Sequence, residues 1–384
     1  MQRSWNWTGI GRRSLIGLLL LTMMVGTVSC RTKSRTAERI EEDTEAASDI
    51  SGNLTFNNVT LEQANEDGET VWKIRADQVA YSQNEEVAQA VSLSGDLYDD
   101  NKPILRVKSQ RGQVQQDGKR IILQGDVVAT DLRSGAVLKG DQLEWVPAEG
   151  VITIRNNVVA THPRFRVTGG EAKFFNKERR LEVSKQVVGL SRDPDLRMQG
   201  EHLTWLIDED KVLSDRPIRV ERLRDRQIVD TAVGKTAELD LKTKIVTLRQ
   251  GAQLDLGSPP VRVSSSILIW SPNAQTLVSD EPLTAVHRQQ QVTLRADRGR
   301  ADLAQQVFYF TGNVRAVAQR NRSQMVADRL TWSVPDDRLN ATGNVDYRQL
   351  NPPMRVRGPE AIGKLENETI VVSGGRVVTE IVPE

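Results

Sequence analysis

The sequence predicts an all-β fold, an antiparallel sandwich or barrel-like architecture built from repeats of about 31 residues. Three observations carry this expectation. Apolar residues recur at every second position in short runs, turn-forming residues return every 8 to 12 positions, and one pattern recurs ten times between residues 74 and 358. No stretch keeps the 3.6-residue period of an amphipathic helix for long.

Composition narrows the classes of function. Lys plus Arg number 52 and Asp plus Glu 51, a formal net charge of +1, so nucleic acid has no electrostatic reason to bind. Aromatic residues make up 4%, few for stacking on bases. The apolar share of 38% fits strands with one solvated face. The single cysteine, Cys30, excludes an internal disulfide framework.

The amino terminus comes first in the chain. Arg3, Arg12 and Arg13 form a basic leader, and Leu15 to Val28 is an apolar run of 14 residues. A spanning helix needs about 20 residues, so the run reads as a secretory signal. Thr27-Val28-Ser29-Cys30 resembles a bacterial lipoprotein processing site, in which the cysteine is lipidated and becomes the first residue, with Thr27 where leucine is usual. Residues 1–30 are therefore expected to be signal peptide and lipoprotein anchor, with Cys30 as the lipid anchor. The alternatives are an uncleaved anchor helix with an incidental cysteine, and plain secretion. The first 29 residues hold three positive and no negative charges, so their removal takes the net charge from +1 to −2. Residues 31–52, rich in Glu, Thr, Ser and Ala, bury too little apolar surface to offset chain entropy and are expected to form a flexible tether.

From residue 53 the pattern is short strands. Ile121, Leu123, Val127 and Ala129 are apolar at alternate positions around Gly125, and Ile152, Ile154, Val158 and Ala160 do the same around Asn156. Turns are read at Asp117-Gly118, Glu149-Gly150 and Asn156-Asn157. The repeat is anchored on a small residue at Ala76, Ser109, Gly140, Gly169, Gly200, Gly234, Ser265, Ala296, Ala327 and Gly358, spaced 29 to 34 residues apart. Two residues before each comes an apolar one: Ile74, Val107, Leu138, Val167, Met198, Ala232, Val263, Leu294, Met325 and Val356. Apolar side chains hold one parity before the small residue and the other parity after it. A strand keeping its apolar face inward changes parity by inserting a residue, so a β-bulge is expected at each small residue.

A higher order overlies this repeat. Trp145, Trp205, Trp270 and Trp332 lie five positions after the small residue in every second unit, and Phe174, Leu239, Ala301 and Gly363 take that position in the units between. Alternation of this kind is expected if successive units feed two facing sheets, one bulky and one lean. The tryptophans are read either as core packing or as rings that line a groove or cap its edge.

Asn58-Val59-Thr60-Leu61, followed by Gly68-x-x-x-Trp72-x-Ile74-x-Ala76-x-x-x-x-Tyr81, resembles the start of LptC, the membrane-anchored periplasmic component of the lipopolysaccharide transport bridge. Leu123-Gln124-Gly125-Asp126-Val127 and Phe310-Thr311-Gly312-Asn313-Val314 resemble the repeats that LptC shares with the soluble bridge protein LptA, the OstA-like family. The resemblance covers roughly residues 54 to 375. The chain is much longer than LptC, and one domain over 53–384 is expected, divisible into an LptC-like part (53–215) and LptA-like units (216–384).

The resemblance implies an extended, twisted antiparallel β-jellyroll, an OstA-like trough whose apolar interior holds acyl chains, with no enzyme activity and no cofactor. It implies a place on the periplasmic side of the inner membrane. Lipopolysaccharide is received there from an inner-membrane ABC transporter and passed toward the outer membrane. The lipid-binding groove is expected to include Val127, Leu138, Val158, Phe165, Val167, Leu196, Met198, Val263, Leu294 and Met325. An open trough leaves unpaired strand edges, which invite strand addition. The first strand, around Leu54 to Leu61, lies nearest the tether. The last, around Thr369 to Val382, is rich in Val and Ile, with Gly374-Gly375 suited to a hairpin turn. Its edge is expected to pair with an LptA-like protein or the outer-membrane lipopolysaccharide assembly protein, or else to fold back and seal its own sheet.

Chemistry is sparse. His162, His202 and His287 share no metal-ligand spacing, no P-loop or Gly-x-Ser-x-Gly is present, and neither catalytic nor metal-binding residues are assigned. His202 is read as a surface residue. Asp208-Glu209-Asp210 reads as a solvated turn. The cluster Arg219, Arg222, Arg224 and Arg226 reads as a solvated strand edge or as a contact for lipid phosphates. Two other classes stand against the lipid carrier. A structural or adhesive envelope protein predicts large residues filling the interior. A carbohydrate-active β-solenoid enzyme predicts acidic residues clustered on one exposed sheet face, which the sequence does not show.

Overall fold

The structure, a computed structural model, describes residues 54–381 apart from 66, 82–86, 116–117, 321, 351–352, 365–368 and 376. Asn53–Glu384 forms one compact unit. The basic leader, the apolar run, Cys30, the 31–52 tether and Val382 lie outside the described residues.

The described chain is almost entirely strand. In order these are β1 (Leu54–Ala64), β2 (Thr70–Tyr81), β3 (Val87–Asp99), β4 (Lys102–Gln115), β5 (Ile121–Asp131), β6 (Val137–Val146), β7 (Val151–Thr161), β8 (Phe165–Phe175) and β9 (Arg180–Arg192). Then come β10 (Asp195–Leu206), β11 (Lys211–Ser214), β12 (Ile218–Arg224), β13 (Gln227–Gly234), β14 (Thr236–Asp240), β15 (Ile245–Leu256), β16 (Val261–Ser271), β17 (Thr276–Ser279) and β18 (Leu283–His287). The last are β19 (Val292–Ala296), β20 (Arg298–Asp302), β21 (Val307–Ala318), β22 (Ser323–Ser333), β23 (Arg338–Leu350), β24 (Pro353–Lys364), β25 (Thr369–Ser373) and β26 (Val378–Ile381). A single 3-10 turn, Pro147–Glu149, follows β6.

From β1 to β10 each strand pairs antiparallel with the next in one long meander, and at intervals beyond β10 pairs of short strands share that role between two layers. The strands bend midway, and the pairing at β10 shows how. Leu196–Gly200 pairs with β12 and Thr204–Leu206 with β11. One strand therefore serves two layers, a first layer through its Leu196–Gly200 half and a second through its Thr204–Leu206 half. The same division repeats at β16, whose halves pair with β18 and β17, and at β24, whose halves pair with β26 and β25.

The corner between the layers corrects two expectations. First, the inserted residue does not sit at the small residue but on the partner strand. Between β5 and β6 the register runs from Gln124↔Gln142 to Val127↔Gly140, so Gly125 and Asp126 together face Asp141 alone. Both have left-handed backbone, φ 77° and 46°. Asn156-Asn157, Lys185-Gln186, Gln250-Gly251, Gly312-Asn313 and Gly343-Asn344 are the equivalent left-handed pairs. Glycine and asparagine suit this conformation because they pay the least for it. Asn156-Asn157 is thus a mid-strand corner of β7 rather than a turn. Second, successive units do not alternate between two sheets. Every bulged strand crosses both layers, and the tryptophans and their lean counterparts all lie in the second.

The small residues answer a different need, namely close approach at the corner. A Cβ on Gly140 would lie 2.4 Å from Ile154 Cγ2, and one on Gly169 would lie 2.6 Å from Val183 Cγ1. Gly200 is less crowded, its nearest neighbour being Pro217 O at 3.3 Å. The acidic residue that follows is used as well. Asn157 Nδ2 donates to Asp141 at 2.8 Å, Asn313 to Asp297 at 2.8 Å and Asn344 to Asp328 at 2.9 Å, stitching neighbouring corners together.

The two inner faces share one hydrophobic core. All ten apolar residues that precede the small residues are buried. Burial of such a side chain contributes about 1.5–3 kcal/mol.

Candidate lipid-binding interior

The ten residues expected to form the groove are all buried and all lie on the inner face of the first layer. Cross-strand pairing sets them in a continuous apolar row: Ala129↔Leu138↔Ala160↔Val167↔Gly189↔Met198↔Val220, and on through Val263↔Ala285↔Leu294↔Ala316↔Met325. Large and small residues alternate along it, which lets facing side chains interdigitate.

The facing wall was only half visible in the sequence. It carries a second row, Ile121↔Trp145↔Ile152↔Phe174↔Leu181↔Trp205↔Val212↔Leu239↔Val246↔Trp270↔Leu277↔Ala301↔Phe308↔Trp332↔Leu339↔Gly363↔Ile370. The tryptophan ladder is legible in the sequence as a period. Its partners on the intervening strands were missed, because each of those strands taken alone reads as an ordinary alternating run. Contact between the walls is direct. Phe165 of the first layer meets Trp205 of the second edge-on at 5.8 Å, and His287 meets Trp332 at 5.6 Å.

Between the walls the packing is close. Trp205, Trp270 and Trp332 are at most 2% exposed, and the cavity lined by Val263, Leu277 and Phe308 holds only about 10 Å³. Among the described residues the indole N–H of Trp205, Trp270 and Trp332 has no acceptor, whereas that of Trp72 donates to Gln63 Oε1 at 2.8 Å. A buried donor left unpaired costs about 1–3 kcal/mol.

Opposite the corner, the turns of the two layers meet along a polar seam. Asn176 Nδ2 donates to Asp99 Oδ2 at 3.4 Å, Arg133 Nη2 to Asn176 Oδ1 at 2.6 Å and Arg179 Nη1 to Asp131 Oδ2 at 3.0 Å. Farther along, Arg164 pairs with Asp210 at 2.5 Å, Asn273 and Lys244 both donate to Asp193, and Gln290 Nε2 donates to Asp337 at 2.8 Å. Burial works to raise the Asp131 carboxyl. Hydrogen bonds from Ser134 Oγ and from the Arg133 backbone and guanidinium, together with the Arg133 charge, hold it below the usual carboxylate range. Two histidines stand just inside the seam. Burial lowers the pKa of both His162, packed 5.2 Å from Trp205, and His287.

Several expected surface features take part in pairing. Asp208 and Asp210, read as a solvated turn, accept from Arg179 and Arg164. In the basic cluster, Arg219 pairs with Glu221 and Arg222 with Asp230. His202 lies at the surface beside Asp215, 2.8 Å away. No group of three metal-ligating side chains occurs among the described residues, nor does any helix long and apolar enough to cross a membrane.

The last strand also differs from expectation. Gly374-Gly375, at φ 88° and 96°, is not a hairpin turn but a corner. β25 continues the second layer and β26 the first, both alongside β24. Among the described residues neither pairs with any further strand, and Val371 and Val378 are 63% and 48% exposed.

Residues 17–191 match the family model described as lipopolysaccharide-assembly, LptC-related. Over that stretch the chain is similar to the LptC-related family. The match runs from the apolar leader to the end of β9, so it takes in the opening motif and four of the ten small-residue sites. No curated protein matches the chain. Among solved structures it is similar to LptH, the LptA homologous periplasmic component of the lipopolysaccharide transport device of Pseudomonas aeruginosa. The identity is 16%, the match covers 36% of this chain and 77% of that one, and the TM-score is 0.19. A TM-score that low carries no argument, and the fold rests on the strand pairing above.

Proposed function

We propose that this chain is the periplasmic, membrane-tethered carrier of a lipopolysaccharide export bridge. It receives lipopolysaccharide from an inner-membrane ABC transporter and passes the acyl chains between its two walls toward the outer membrane. The observation that carries this is the pair of unbroken apolar rows, which face each other from strand to strand along the meander. Cys30 or an uncleaved anchor helix holds the amino terminus at the inner membrane, and residues 31–52 are the tether. An LptC-like part, 53–215, is extended by LptA-like units, 216–384. β25 and β26 offer open edges that pair with an LptA-like protein or the outer-membrane assembly protein. The chain carries lipid without a catalytic step, and ATP is hydrolysed by other subunits.

Photo-crosslinkers at the inward positions Val167, Met198 and Val263 test the carrier. Lipopolysaccharide should be captured there when the transporter is energised and not at Arg166 or Gln199, which face out. Equal labelling of both faces would remove the groove. Deletion of residues 369–384 tests the edge. A folded, lipid-binding protein that no longer crosslinks to its downstream partner supports the bridge, and unchanged partner crosslinking defeats it.

The close packing favours a second reading, a structural or adhesive envelope protein with a filled core. Mass spectrometry of lipid co-purified with the mature protein separates the two. The carrier returns with bound lipopolysaccharide, and the filled core returns with none.

A further inference from the structure

The seam does not close everywhere. Beside the Gln290–Asp337 contact, the layers leave a cavity of about 50 Å³ that opens to the surface. Its apolar lining comes from both walls, Val292, Ala316 and Met325 from the first layer and Leu339, Gly363 and Ile370 from the second. The space exists because Gly363 holds the ladder position that Trp332 fills on the other side of Leu339. A Cβ there would meet only Thr369 O at 3.6 Å and Leu339 Cβ at 3.8 Å, so nothing in the fold demands glycine. A bulky residue would fit and would fill the opening.

The rim is cationic. Arg320 and Lys364 flank the cavity from opposite layers. Arg320 Nη2 donates to the Gln289 carbonyl at 2.9 Å, and among the described residues neither cation has a carboxylate partner. Elsewhere on the unit, basic residues beside the seam such as Arg133, Arg164 and Arg179 are each paired with an acid. An apolar floor under two cations that have no carboxylate partner among the described residues suits an amphiphile with one apolar chain and an anionic head.

We propose that this mouth is a terminal lipid subsite. It takes the end of an acyl chain into the cavity and holds a phosphate-class head group between Arg320 and Lys364. The proposal rests on the reading of the interior as a lipid path and places one stop on that path near the last strands.

Titration of the full chain with decyl phosphate below its micelle-forming concentration, followed by calorimetry, tests it, with decyl maltoside as the uncharged counterpart. Decyl phosphate should bind about tenfold tighter or more, a difference of about 1.4 kcal/mol. Gly363→Leu should weaken both ligands by about tenfold without lowering the melting temperature. Arg320→Gln with Lys364→Gln should erase the preference for phosphate while maltoside binding persists. Equal affinity for the two ligands in the wild type, or unchanged binding by Gly363→Leu, overturns the proposal. Should Gly363→Leu fail to fold, the double Gln variant decides alone. Lipopolysaccharide capture at Val167 without decyl phosphate binding would refute the mouth and spare the carrier. Decyl phosphate binding without that capture would do the reverse.

Discussion

Arg179 Nη1 donates to Asp131 Oδ2 at 3.0 Å, and this bond joins a turn of the second layer to a turn of the first across 48 residues of sequence. The Asp131 side chain is 1% exposed and also receives Arg133, so the pair is one of the most sheltered points of the seam. A lipid path closed by such contacts must break them whenever an acyl chain enters sideways. Arg179→Met leaves the Asp131 charge with Arg133 alone, and we expect a loss of about 1–3 kcal/mol in urea unfolding. Asp131→Asn combined with Arg179→Met should cost less than the sum of the single changes. Additive losses in that double-mutant cycle would mean the pair does not couple the layers.

Acidification should loosen the same seam through the histidines. The folded pKa of His162 and of His287 is lowered by burial from the ordinary 6.5. His287 Nδ1 accepts the Gln290 N–H at 3.1 Å, which requires the neutral ring. Asp210 and Asp337 nearby oppose the shift without reversing it. A group with depressed folded pKa leaves stability intact above its unfolded value, and that stability falls as pH drops below about 6.5 toward the folded value. Melting temperature should therefore decline below about pH 6.5, and His162→Gln with His287→Gln should flatten that decline. A decline of the same size in the double variant would assign it to other groups.

The corner glycines should not be equivalent. Gly140→Ala drives a Cβ to 2.4 Å from Ile154 Cγ2, whereas Gly200→Ala meets nothing closer than Pro217 O at 3.3 Å. We expect a loss of about 1–3 kcal/mol for the first and a clearly smaller one for the second. Chemical denaturation midpoints of the two variants give the order directly, and a larger loss at Gly200 would contradict the crowding at the Gly140 corner.

The unpaired indole of Trp270 separates ring volume from its donor. Trp270→Ala opens a cavity in the second wall and should cost about 3–5 kcal/mol. Trp270→Phe keeps most of the ring and removes a buried N–H that has no acceptor, so its cost should stay under about 1.5 kcal/mol. Hydrogen exchange of the strand amides around Leu268 would register the difference. Equal losses for Phe and Ala would show that the N–H is satisfied in solution.

What the sequence determined by itself was the strand pattern and one wall. Parity of apolar residues is local, so Leu138, Val167, Met198, Val263, Leu294 and Met325 could be assigned inward from spacing alone, and the tryptophan ladder showed that a second period exists. Spacing could not say that the ladder and its lean counterparts share one wall, because that depends on each strand bending through both layers. Nor could it place the inserted residues. Asn156-Asn157 looks like a turn in sequence and Gly125 like the middle of an alternating run, and only pairing with Gly169 and with Gly140-Asp141 shows both to be corners. The seam was decided by tertiary structure alone. Asp131 and Arg179, Arg164 and Asp210, and Asp193 and Asn273 stand 48, 46 and 80 residues apart, and the twist of stacked antiparallel strands is what brings those turns together.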